Sequence, residues 1–176
     1  MSANKLELIQ SLEVTSPTAT VTLGGTEWVN TYDSYKVIIT GVTIDAAEEL
    51  HMHYLDSSNA QVTSNYSFSF QRSSVSTSST ETTVKASGAN DVEIGETGTG
   101  TGASFNCELL LQDFNDAGKL SSGMMDIVFQ NASGEVSTET GGFFNTTAAL
   151  HKGLQFEVET GDNFTAGRFT LYGIGS

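Results

Sequence analysis

The amino-acid sequence predicts an all-β fold, an antiparallel β-sandwich of jelly-roll type with a long Ser/Gly-rich loop excursion. Runs rich in β-branched and aromatic residues recur along the chain, the clearest being Tyr35-Lys36-Val37-Ile38-Ile39-Thr40-Gly41-Val42. Such residues fit a pleated, half-buried surface better than a helix. Gly is frequent, at 18 residues, Ser and Thr recur throughout, and Pro occurs once, a mixture that suits short strands joined by tight turns. Helical periodicity is confined to one turn's length at residues 44–49, so the crossover helices that a parallel sheet requires are lacking. At 176 residues the chain fits one domain, able to bury about 70% of the surface its unfolded form exposes.

Nine or ten strands follow in order. Residues 5–14 and 19–23 come first and end at Gly24-Gly25; the β-branched run 35–42 is next. Residues 49–55 alternate, with Leu50, Met52 and Tyr54 on a core face and His51 and His53 on a solvent face, and Asp56-Ser57-Ser58-Asn59 turns the chain. After a strand at 66–71 the apolar pattern thins between Arg72 and Ala103, where Ser73–Thr80 and Gly95–Gly102 are almost wholly Ser, Thr, Gly and Glu. This reads as a long loop, and loops of that length commonly make functional contacts. Residues 104–114 return to alternation, with Phe105, Cys107 and Leu109 sharing a face, and stop at Asn115-Asp116-Ala117-Gly118. Strands at 124–131, 143–150, 154–159 and 167–174 complete the set, separated by turn-forming groups such as Ala132-Ser133-Gly134 and Thr160-Gly161-Asp162-Asn163. Residues 1–27 form an N-terminal arm with the first strands and residues 28–176 the jelly-roll domain, within one compact unit.

Seven Lys and Arg against 21 Asp and Glu give a net charge of -14. That charge repels nucleic acid and favours cationic partners, divalent ions or simple solubility. Cys107 is the single cysteine, so an internal disulfide is excluded, and its place among Phe105 and Leu109 makes it a core sulfur. Neither a signal peptide nor a membrane-spanning run is expected, so synthesis and folding in a cytoplasm are the expectation.

Chemical motifs are weak. Gly98-Thr99-Gly100-Thr101-Gly102-Ala103 has dinucleotide spacing but a strand, not a helix, after it. His51-Met52-His53, with Asp56 nearby, could hold a metal from one strand face. The pair resembles the His-x-His of the cupin family, a metal-dependent enzyme reading, but the following Glu is missing and no second motif surrounds His151. Asp113, Asn115 and Asp116 crowd a turn without the spacing of a calcium loop. No catalytic, cofactor-binding or metal-binding residue is assigned.

Two segments carry a resemblance. Leu154-Gln155-Phe156-Glu157-Val158-Glu159, a polar turn, and Phe164-Thr165-Ala166-Gly167-Arg168-Phe169-Thr170-Leu171-Tyr172-Gly173-Ile174 resemble the closing pair of a family of phage virion jelly-roll domains. That family, found in tail-fibre-like and capsid-associated proteins, ends in a Leu-Tyr-Gly-Ile strand. Tyr32-Asp33-Ser34-Tyr35 leading into Val37-Ile38-Ile39-Thr40-Gly41-Val42 is similar to the family's opening strand. The layout matches from about Trp28 to Ile174; the motifs themselves lie in those two strands.

The resemblance implies a non-enzymatic structural protein of the bacteriophage virion, commonly a homotrimer, whose partners are capsid or tail subunits. With about thirty residues before the matching region, a capsid decoration protein cementing the assembled shell is the expectation. Residues 1–14 would reach a neighbouring subunit as an added strand. The alternative is a tail adaptor or receptor-binding module touching a host surface glycan or protein, with Trp28 available to stack on a sugar ring.

Overall fold

The computed structural model describes residues 5–75, 80–98 and 103–175. Among these the chain forms twelve strands: β1 (Lys5–Val14), β2 (Thr20–Gly24), β3 (Ser34–Ile44), β4 (Glu48–Asp56), β5 (Tyr66–Val75), β6 (Thr80–Ala89), β7 (Val92–Thr97), β8 (Phe105–Gln112), β9 (Ser122–Gln130), β10 (Val136–Asn145), β11 (His151–Val158) and β12 (Phe164–Gly175). All pair antiparallel, in an eight-stranded sheet ordered β1-β12-β3-β8-β9-β10-β5-β6 and a four-stranded sheet ordered β2-β11-β4-β7. The expected β-sandwich is therefore present.

Its jelly-roll character lies in the order of pairing. The block β1-β12-β3-β8 in one sheet and β2-β11-β4-β7 in the other are the two four-strand sets of a jelly roll, in which the chain crosses repeatedly between sheets. Two hairpin insertions, β5-β6 after β4 and β9-β10 after β8, both join the first sheet and double its width.

Alternation builds the core. Tyr35, Val37 and Ile39 of β3, Cys107, Leu109 and Leu111 of β8, and Phe169 and Leu171 of β12 face Leu50, Met52 and Tyr54 of β4 and Leu154 and Phe156 of β11, all within one buried cluster. Gly173, near the end of the last strand, stands where a Cβ would overlap the Tyr32 ring, so only a glycine lets that ring approach the backbone so closely.

Three expectations are corrected. The stretch 72–103 is not a loop throughout: β5 continues to Val75, and β6 and β7 lie inside it. Its low apolar count hides strands because β6 is an edge strand pairing only with β5, and just Val84, Ala86 and Ala89 of it pack on the core. Residues 76–79 of the Ser-rich run and 99–102 of the Gly-rich run lie outside the described residues. Residues 5–14 are no free arm, since β1 is paired along its length with β12; residues 1–4 are likewise outside the description. Residues 44–49 bend without a helical turn, and the short 3-10 turn lies at Gly25–Glu27.

Candidate functional site

The outer face of the eight-stranded sheet carries several exposed apolar side chains among polar ones. In-register partners share a face, and the register runs Leu8–Tyr172–Lys36–Leu110–Met124 across β1, β12, β3, β8 and β9. A neighbouring row runs Leu6–Ile174–Ser34–Gln112–Ser122–Phe144 into β10. Leu6, Leu8, Met124 and Phe144 are 50%, 62%, 60% and 39% exposed. This band crosses six strands, about 24 Å at the usual strand spacing. Val128 and Val136 extend exposed apolar surface along β9 and β10. Lys36 breaks the first row and Ser34, Gln112 and Ser122 the second. The apolar side chains therefore form two groups, Leu6, Leu8, Tyr172 and Ile174 on β1 and β12, and Leu110, Met124 and Phe144 on β8 to β10. Exposed apolar groups of this kind are candidate contact surfaces.

An acidic pair interrupts the band. Glu108 and Asp126 sit directly opposite each other on β8 and β9, a like-charge arrangement that costs stability. Lys36 reaches Glu108 at 2.7 Å, but among the described residues no cation pairs with Asp126. Both carboxylates line a shallow depression of about 310 Å³ with Ile38, Thr40, Asn106 and Val128. A basic side chain brought by a partner would complete the pairing.

The opposite face, on the four-stranded sheet, carries the histidines. They are not the solvent-facing pair that strand alternation suggests. His53 is 4% exposed, with Nδ1 3.2 Å from the Val62 carbonyl and Nε2 3.0 Å from Glu157. His51 is mostly covered; its Nδ1 lies 3.3 Å from Asp91, while its Nε2 is buried with no hydrogen-bond partner. One donor atom from each of Glu49, His51 and Glu159 lies within 4.8 Å of the others. Burial opposes a charge on His51, but the Asp91 hydrogen bond and the charges of Asp91, Glu159 and Glu49 outweigh it and hold the ring's pKa above its ordinary value. Asp56 joins neither histidine; its carboxylate accepts from Ser58 and Ala60 within its own turn. The alternation Glu49-x-His51 was visible in the sequence, whereas Asp91 and Glu159 come from distant segments that only the sheet brings alongside.

The remaining candidates are structural. Trp28 is partly buried: its ring packs at 3.9 Å on Tyr35 and its Nε1–H donates to Asn115 at 2.9 Å. Asn115 in turn donates to the Tyr32 carbonyl, and Lys119 stands between Asp113 and Asp116 at 2.9 and 3.6 Å, so this turn carries its own cation. Burial pushes the Cys107 thiol far above its usual pKa, consistent with a packed core sulfur. No family model, curated protein or solved structure matches this chain.

Proposed function

We propose that this chain is a structural protein of a bacteriophage virion, a capsid decoration protein that attaches to the assembled shell through the outer face of its eight-stranded sheet. The apolar band on that face is the observation that carries the reading. A monomer that stayed free in solution would gain nothing from Leu8, Met124 and Phe144 on one surface, whereas burial against a partner returns roughly 25 cal/mol per Å² of apolar area. The resemblance of the closing strand to phage virion jelly rolls adds the virion context, and two residues of that strand, Tyr172 and Ile174, lie in the band itself.

Charge favours a partner other than a second copy of the same face. Stacking Glu108 and Asp126 on their own duplicates would bring four carboxylates together in a chain whose net charge is -14, while a basic patch on the shell would neutralise them. Attachment is thus to a foreign surface, whether or not the protein also trimerises elsewhere.

The test is rebinding to particles stripped of this protein. Leu8→Glu/Met124→Glu alters two well-exposed positions and leaves the melting temperature within a degree or two. Occupancy of the head should fall at least tenfold, about 1.4 kcal/mol, with Thr20→Glu on the small sheet as an unaffected control. Full head occupancy by the double variant would sink the reading, and binding confined to the tail would replace it with the adaptor or receptor-binding role.

A further inference from the structure

We infer that Glu49, His51 and Glu159, on the face opposite the apolar band, form a binding site for one divalent cation of the borderline class, such as Zn²⁺. The donors are held by the sheet. Glu49 and His51 are alternate residues of β4 and therefore share a face. Glu159 follows the last residue of β11 and is held beside Glu49 by its backbone N–H, which donates to the Glu49 carbonyl at 3.0 Å. Their donor atoms lie within 4.8 Å of one another, a spacing that a modest side-chain contraction closes around a cation with metal–ligand bonds of about 2.1 Å.

The surroundings of the His51 ring support the same reading. A ligating imidazole normally donates its other N–H to a carboxylate, which fixes the tautomer and aims the lone pair. Asp91 Oδ2 stands 3.3 Å from Nδ1, placed for that role, while Nε2 is buried and without a partner. A buried nitrogen that bonds to nothing costs stability; a cation would remove that cost.

The charge around the site is also unbalanced. Among the described residues no Lys or Arg comes within ion-pair distance of Glu49, Glu93 or Glu159. The nearby Arg72 is committed to Glu139, over the Phe129 ring, with Glu96 at 3.9 Å. Imidazole with two carboxylates selects zinc and its neighbours over calcium or magnesium. His53 and Asp56 take no part, and neither does the buried Cys107. A bound ion would tie the β11–β12 turn to β4.

Titration calorimetry with zinc chloride on the full, tag-free chain tests this. One equivalent should bind with a dissociation constant in the micromolar range or below, and should raise the melting temperature by several degrees, while magnesium chloride gives no saturable heat. Glu159→Gln, at an exposed position, and His51→Gln should each weaken binding at least tenfold, and Asp91→Asn by 10- to 100-fold. Absence of saturable zinc binding up to millimolar concentration would overturn the site. So would equal affinity in the Glu159→Gln and His51→Gln variants, which would assign the binding to the diffuse acidic surface.

Discussion

Burial of the His151 ring, 2% exposed with Nδ1 2.7 Å from Ser121 Oγ, lowers its pKa to about 4 despite the opposing charge of Asp56. The unfolded chain titrates this ring near 6.5, so between pH 6.5 and 4 the unfolded state holds the extra proton. Stability is therefore complete above 6.5 and is lost as pH falls toward 4, by about 3 kcal/mol in all. Denaturant unfolding at pH 7.5 and pH 4.5 should show most of this loss in the wild type, and His151→Asn should lose about 2.5 kcal/mol less over the same interval. Equal losses in the two proteins would mean that other groups drive the acid sensitivity. The environment of this residue was illegible in the sequence, because His151 opens a strand after a five-residue connection and its partner Ser121 is thirty positions away. The same limit applied to His51: its strand and face followed from alternation, but not the carboxylates that surround it.

Strand periodicity worked where both faces of a strand met different environments. The bounds of β1 and the faces of β3, β4, β8 and β12 followed from local pattern alone, since Val37, Met52, Leu109 and Leu171 all lie in the buried cluster. It failed for β6 and β7. The first is a polar edge strand; in the second, Val92 and Ile94 are its only buried aliphatic residues and Gly95, with φ of 87°, breaks the alternation. The start of β10 was missed for a related reason, because Gly141 and Gly142 interrupt its pattern: a Cβ on Gly141 would overlap the backbone of β5. Gly173 of β12 makes the converse point, a motif glycine whose need is steric. Gly173→Ala forces its Cβ into the Tyr32 ring and should cost about 1–3 kcal/mol, read as a lower denaturant midpoint at unchanged slope. A midpoint equal to the wild type's would show that the ring moves aside freely.

The whole molecule is asymmetric in a way that composition did not reveal. Two hairpins inserted into a jelly roll widen one sheet to eight strands, against four in its partner. Apolar residues at consecutive positions, Leu109-Leu110-Leu111 and Met124-Met125, were the sequence signal that one strand face would remain apolar and outward, and they were read simply as strand. Leu110 and Met124 point outward while Leu109, Leu111 and Met125 lie in the core, and on the proposed reading the wide sheet is the attachment surface. The most direct measurement is cryo-electron microscopy of the intact phage particle at a resolution that separates the two sheets. The sandwich should sit on the head, with the outer face of its eight-stranded sheet against the shell and Leu8, Leu110 and Met124 buried in the contact. Density found only at the tail, or a sandwich seated on the head by its four-stranded sheet with the apolar band open to solvent, would contradict it.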